Sequence, residues 1–321
     1  FAFVLPQRWL DGQWHTLYAY GISRASGRPV LLTGSPLGFI AHRPKADADF
    51  DGDHTTDVSV WRPGDGNWHV LPSGGAPSYA FAWGTRGDSP LSGDFDGDGR
   101  TDYTVFRPSE GIWYIMGSQA GWLQYAFGLA DDIPVPADYT GDGLTDVAVW
   151  RPSDGVWYVL PSEGGPFYGF AFGQAGDRPV PGDYDGDGRA DPAVFRPAGG
   201  LWYVAGSSRG VTVEPWGLPD DRLVPADYDR DGKTDLAVRR DSDNTWYVRL
   251  SLTGRTLTVQ WGSPGDVPVP ADYDGTDSAD PASYRPSTGQ WWVTDSAGPH
   301  VHATFGVTGD IPVPGANLTF R

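Results

Sequence analysis

Apolar and polar residues alternate in short runs along this chain, and nowhere does the 3.6-residue period of a helix appear. One stretch, from Ile133 to Gly173, shows the organisation. It holds four runs of β type, P-V-P-A-D-Y, V-A-V-W-R-P, V-W-Y-V-L and Y-G-F-A-F-G, separated by D-G-D-G, S-D-G and S-E-G-G turns. The same unit recurs. The Arg of the R-P dipeptide returns at Arg62, Arg107, Arg151, Arg196, Arg240 and Arg285, and a Trp at Trp68, Trp113, Trp157, Trp202, Trp246 and Trp291. Both series step by 45, 44, 45, 44 and 45 residues, so each unit has the same structural task.

Four strands in about 45 residues is the size of one propeller blade. Proline in the first run suits an innermost strand whose N–H edge is unpaired. A repeated sandwich or a solenoid is the structural alternative. The P-V-P strand is counted seven times, beginning near Lys45, Ser89, Ile133, Arg178, Arg222, Val267 and Ile311. The seventh copy has no strands after it, and residues 1–6, 11–17 and 28–33 are available to complete its blade. The expected fold is therefore all-β: a seven-bladed propeller of four-stranded blades whose first and last residues share a blade, leaving no open edge. A second reading makes residues 1–40 the remnant of an upstream β-sandwich domain, because Trp14 lies 54 residues before Trp68. Residues 41–321 carry the repeats in either case.

Composition adds to this picture. Fifteen Trp against one Met favour sheet packing, and 45 Gly with 29 Pro supply tight turns. No run approaches 18 apolar residues, so no membrane insertion is expected. Cysteine is absent, but a core of this size needs no disulfide. The first residue is Phe and no signal peptide is visible; the expectation is a trimmed or processed chain. A net charge of −18 makes nucleic acid an unfavourable partner.

Much of that charge sits in six loops that follow the inner strands. In each, positions 1, 3, 5 and 9 carry oxygen ligands: Asp49, Asp51, Asp53 and Asp57; Asp94, Asp96, Asp98 and Asp102; Asp138, Thr140, Asp142 and Asp146; Asp183, Asp185, Asp187 and Asp191; Asp227, Asp229, Asp231 and Asp235; Asp272, Asp274, Thr276 and Asp280. With a backbone carbonyl at position 7, such a loop supplies the six to eight hard oxygens that Ca²⁺ takes, and Mg²⁺ fits less well. An EF-hand needs Glu at position 12; here that position is Val105 in the loop from Asp94, and strands rather than helices flank it. Four uncompensated carboxylates would repel one another, which argues against simple turns. About six structural calcium ions would bring the net charge from −18 to about −6. The loops differ: His54 replaces the expected Gly, Thr140 and Thr276 each replace a carboxylate, and the seventh copy offers only Ala316 and Leu318.

The unit resembles the FG-GAP or VCBS-type repeats of bacterial extracellular proteins. The resemblance rests on Phe127-Gly128, Phe172-Gly173 and Phe305-Gly306, on the D-x-D-G-D-G loop and on the strand–loop–strand order, and covers residues 45–321. It implies a propeller like that of the integrin α-subunit head, and it is similar to a fungal seven-bladed lectin. It also implies structural calcium, ligands bound on loop faces or between blades, and a secreted or cell-surface location. No sugar-contacting residue of the lectin can be matched to a position here.

None of the six His residues recurs in register, and no G-x-S-x-G, H-E-x-x-H or phosphate loop is present, so a non-enzymatic role is expected. An enzyme would leave one blade conspicuously altered, whereas blades two to six read as nearly uniform. The repeated Trp is expected to pack between blades, and the R-P Arg to pair with a loop Asp. The expected function is a calcium-stabilised carbohydrate-binding or adhesive module with a glycan or an extracellular protein as partner. A protein-binding scaffold and a polysaccharide-active lyase or hydrolase are the alternatives.

Overall fold

The structure is a computed structural model that describes residues 14–18, 20–22, 29–31, 37–40 and 47–314. The chain forms two units, 1–45 and 46–321. In the first, β1 (Trp14–Leu17) pairs with β4 (Leu37–Ile40), and β2 (Tyr20–Ile22) pairs with β3 (Pro29–Leu31), both antiparallel.

The second unit is six four-stranded antiparallel sheets. Blade one holds β5 (Val58–Arg62), β6 (Asn67–Leu71) and β7 (Tyr79–Ala82). Blade two holds β8 (Ser89–Leu91), β9 (Tyr103–Arg107), β10 (Ile112–Gly117) and β11 (Gly121–Ala126). Blade three holds β12 (Ile133–Pro134), β13 (Val147–Arg151), β14 (Val156–Leu160) and β15 (Tyr168–Ala171). Blade four holds β16 (Arg178–Pro179), β17 (Ala193–Arg196), β18 (Leu201–Gly206) and β19 (Gly210–Pro215). Blade five holds β20 (Arg222–Leu223), β21 (Leu236–Arg240), β22 (Thr245–Arg249) and β23 (Thr256–Gln260). Blade six holds β24 (Val267–Pro268), β25 (Ala282–Arg285), β26 (Gln290–Asp295) and β27 (Gly298–Thr304). The inner strand of blade one is the last strand among the described residues, β28 (Ile311–Pro312), which pairs with β5.

The expectation of seven blades is therefore corrected to six. The copies near Lys45 and Ile311 are two halves of one repeat. Ile311–Pro312 supplies its strand, while Ala48 supplies the carbonyl that accepts from Asp57 N–H at 3.0 Å, as Ala137 does for Asp146 at 2.9 Å. Val313, Ala48 and Phe50 pack in one cluster with Trp61 and Trp68. Among the described residues β1 pairs with β4 and β2 with β3, and β28 pairs with β5 at the inner edge of the sheet β28-β5-β6-β7. Residues 1–6, Ala316 and Leu318 lie outside the described residues.

Alternation places the repeated Trp on the buried face of each third strand, and all six are fully buried. Five clusters reach across a blade junction; Phe106 and Trp113 pack with Val147 and Val149 of the next blade, for example. Five indoles also donate to a carbonyl at the end of the fourth strand, as Trp157 does to Phe172 at 2.8 Å. At the same end of each blade an Arg–Asp pair clamps the first strand to the second: Arg62–Asp310, Arg107–Asp88, Arg151–Asp132, Arg196–Asp177, Arg240–Asp221 and Arg285–Asp266, at 2.7–2.9 Å. Each carboxylate is almost entirely buried, and both of its oxygens accept from the guanidinium.

Candidate functional site

The Asp loops share one construction, and it begins with two left-handed backbone positions. Position 4 is Gly at Gly52, Gly97, Gly141, Gly186 and Gly275, and position 6 is Gly at Gly99, Gly143, Gly188 and Gly232, all with φ between +71° and +87°. Arg230, His54 and Asp277 occupy the remaining places with φ of +62° to +69°, a conformation that is costly for residues with a Cβ. These two bends turn the amides inward. The position-1 carboxylate of Asp183 accepts from Gly186 at 2.6 Å and from Gly188 at 2.8 Å. Asp94, Asp138 and Asp227 do the same.

Position 9 ties the loop shut. Asp57, Asp102, Asp146, Asp191, Asp235 and Asp280 each accept from the position-2 amide at 2.8–2.9 Å. The first five also accept a second amide, from Ser73, Ser118, Ser162, Ser207 and Ser251 at the turn between strands three and four. That serine is a functional residue the sequence reading missed. It returns five residues after the repeated Trp, a register visible in the sequence. Its hydroxyl donates to position 5: to Asp53, Asp98, Asp142, Asp187 and Asp231 at 2.6–3.0 Å. In blade six Ser296 donates instead to Asp274.

The loops also bond to one another. The position-8 amide of each donates to the position-1 carbonyl of the preceding blade: Thr101 to Asp49, Thr145 to Asp94, Ala190 to Asp138, Thr234 to Asp183, Ala279 to Asp227 and Thr56 to Asp272, at 2.6–2.8 Å. Six bonds thus run once around the propeller.

Five loops bring three carboxylates within 4.8 Å of one another: Asp49, Asp51 and Asp53; Asp94, Asp96 and Asp102; Asp183, Asp185 and Asp191; Asp227, Asp229 and Asp231; and Asp272, Asp274 and Asp280. The Asp138 loop, with Thr140 at position 3, is not among these groups. Asp57, Asp98, Asp187 and Asp235 stand outside the tight triads of their loops. Three loops share a further property. Asp96, Asp185 and Asp229 are pinned through Oδ2 by amides of the strand three–four turn, while Oδ1 is buried with no hydrogen-bond partner. A buried, unpaired carboxylate oxygen is costly unless a cation meets it. In blade six that oxygen of Asp274 is already taken by the Thr276 hydroxyl at 2.7 Å. Burial pushes Asp57 and Asp235 up to about 6 and Asp102 and Asp280 up to about 7, against the partial relief of their amide donors.

Residues 138–194, from the Asp loop of blade three into the second strand of blade four, match the FG-GAP-like repeat family. No curated protein sequence matches the chain. Among solved structures, a streptogramin B lyase superposes with a TM-score of 0.51 at 11% identity, over 78% of this chain and 84% of its own. Virginiamycin B lyase from Staphylococcus aureus gives 0.50 at 8% identity, over 89% of this chain and 87% of its own. An Agrocybe aegerita lectin, described for recognition of non-reducing terminal N-acetylglucosamine, gives 0.50 at 14% identity, over 86% of this chain and 92% of its own. At these identities the likeness is one of fold alone. No helix among the described residues is long and apolar enough to cross a membrane.

Proposed function

We propose that this FG-GAP-like propeller is a calcium-stabilised, non-catalytic binding module of a secreted or cell-surface protein, with a glycan as ligand. The observation that carries the calcium reading is the buried, unpartnered Oδ1 of Asp96, Asp185 and Asp229 within the carboxylate triads. Hard oxygens from Asp94, Asp96 and Asp102, with their counterparts at Asp183 and Asp227, would hold Ca²⁺ and fix each hairpin. The glycan reading rests on aromatic side chains exposed around the outer strands near the Asp-loop end: Tyr79, Trp122, Phe167 and Tyr168. An exposed aromatic face stacks on the apolar face of a sugar ring, and repetition on blades one to three gives weak sites avidity. The lectin neighbour is consistent with this reading and adds no residue to it.

Exposed aliphatic residues favour the second reading, a protein-binding scaffold. Val211 and Val213 on β19 and Leu252 and Leu257 near β23 form an apolar fringe on blades four and five. A polysaccharide-active lyase or hydrolase is the third. A glycan array probed with and without calcium separates them. Calcium-dependent binding lost on Trp122→Ala supports the glycan reading. Silence on every glycan refutes it and leaves the scaffold, while loss of polymer viscosity points to the enzyme.

A further inference from the structure

Blade five departs from the repeat at one end, and the departure concentrates positive charge. The penultimate residue of the second strand is aromatic in five blades, as Trp61, Phe106, Trp150, Phe195 and Tyr284; in blade five it is Arg239, fully buried. Its cross-strand partner is Arg222, a juxtaposition of like charges that is destabilising on its own. Arg178, on the inner strand of blade four, donates to the Asp221 carbonyl beside Arg222 at 3.0 Å. The uniformity read from the sequence for blades two to six is therefore corrected here.

The carboxylates nearby do not balance these charges. Asp221 and Asp266 are each held by both nitrogens of Arg240 and Arg285. Asp241 alone is shared by Arg222, at 2.8 Å, and Arg239. Three guanidiniums face one available carboxylate in a chain whose net charge is −18.

The junction between blades five and six departs from the repeat as well. In five blades a tight glycine faces the carbonyl of the next glycine so closely that a Cβ would meet it at 2.2–2.5 Å, as Gly155 faces Gly173. Blade five has Asn244 there, with a real Cβ at a φ of +53°, while its carbonyl still accepts from the Trp261 amide at 2.8 Å as the glycine carbonyl does elsewhere. The bond from the repeated Trp to the strand-end carbonyl is missing: Trp246 Nε1 has no partner, nor has Trp261 Nε1 or Trp292 Nε1. The valine that lines the other junctions is Ser283 here, buried, with an unpartnered Oγ. A Cβ at Gly262 would meet Arg239 Nη2 at 3.1 Å, Ser283 Oγ at 3.4 Å and Asp266 Oδ2 at 3.6 Å, so the first two converge beside a carboxylate oxygen that Arg285 already holds. Arg239 Nη2 reaches the Ser263 carbonyl and Asn244 Oδ1, Nη1 reaches Asp241 and the Asp266 carbonyl, and Nε has no partner.

We infer that Arg239, Arg222 and Ser283, with Arg178 adding charge, form an oxyanion-binding site at the blade five–six junction, on the end of the propeller opposite the Asp loops. A carboxylate or a sulfate- or phosphate-type group supplies the acceptors that Arg239 Nε and Ser283 Oγ lack and offsets the surplus guanidinium charge. Burial, and after it crowding by Arg222, holds Arg178 and Arg239 below the usual arginine range, which an anion relieves. The site does not depend on the calcium or glycan reading.

The test is thermal melting of the full chain in constant calcium, with millimolar sodium sulfate or sodium galacturonate against sodium chloride of equal ionic strength. Ligands that bind the folded state raise the melting temperature by mass action. A rise with either oxyanion and not with chloride is expected. Arg239→Phe and Arg222→Ser install residues found at these places in other blades, Phe106 and Ser89. Each should weaken apparent affinity at least tenfold, and Arg222→Ser suffices if the buried substitution fails to fold. A response to galacturonate alone assigns an acidic-sugar carboxylate; a response to sulfate alone assigns a sulfate or phosphate group. No response beyond chloride, or equal responses from wild type and variants, overturns the site.

Discussion

The backbone amide of Thr56 donates to the carbonyl of Asp272 at 2.8 Å, joining the first Asp loop to the last across 216 residues of sequence. The other five bonds of the series join neighbouring loops in sequence order, so this one closes a ring. The Arg62–Asp310 pair and the β5–β28 ladder close it again at other levels.

Closure should dominate stability. Asp310→Ala leaves the Arg62 guanidinium half-buried without its carboxylate and should cost about 3 kcal/mol. Deleting residues 311–321 removes the inner strand of blade one and should cost more. Urea denaturation reads both; a deletion variant as stable as the full chain would show that blade one does not need β28.

Removing calcium with EDTA should lower the melting temperature, and added calcium should restore it. A site filled to 100 times its Kd contributes about 2.7 kcal/mol. Asp185→Ala should destabilise the calcium-loaded protein more than Asp274→Ala, because Asp274 Oδ1 is already engaged by Thr276 while Asp185 Oδ1 is unpaired. Calcium titration of both variants followed by melting decides it; the reverse order would mean that charge outside the nine-residue loop sets affinity.

In EDTA the sign of the pH effect should invert from that of most proteins. Asp102 and Asp280 stand near 7, and Asp57 and Asp235 near 6, in the fold, against 3.8 for the free side chain. The native state therefore holds more protons than the unfolded chain between about pH 4 and 7, and stability falls as pH rises through that window. The metal-free protein should melt higher at pH 5.5 than at pH 7.5. Melting curves at the two values check this, and a higher melting point at pH 7.5 would contradict the burial argument.

Trp157→Phe and Trp246→Phe remove the same volume from fully buried sites. Only Trp157 loses a hydrogen bond, the one to Phe172. Trp157→Phe should cost about 1 kcal/mol more than Trp246→Phe by chemical denaturation. Equal costs would mean that the indole bonds add nothing to blade cohesion.

The repeat made most of this architecture legible. The spacing of Arg62, Trp68 and their successors located the strands, and the pairing of each R-P Arg with an Asp was anticipated in kind. The partner series Asp88, Asp132, Asp177, Asp221, Asp266 and Asp310 is equally regular but lies one strand away, so local pattern did not connect it. The blade count failed because a repeat cut between strand and loop leaves two partial copies, and each resembles the start of a blade. Blade five was misjudged for another reason. Arg239, Asn244 and Ser283 are ordinary residues in isolation, and only the cross-strand partner and the facing glycine give them weight. The loop carboxylates were found, but which oxygens remain unpaired depends on turns some 20 residues away, as in Ser118 to Asp98.

Because Ile311 and Pro312 fill the innermost place of a blade whose other strands are made from residues 58–82, the order of synthesis and the order of the ring are out of step. A growing chain displays the unpaired edge of β5 from the moment blade one emerges until the last repeat leaves the ribosome. Through that interval the edge is a template for any passing strand, including the β28 segment of another copy. Misassembly should thus take the form of exchanged closing strands between chains, and its frequency should rise with the rate of expression rather than with temperature.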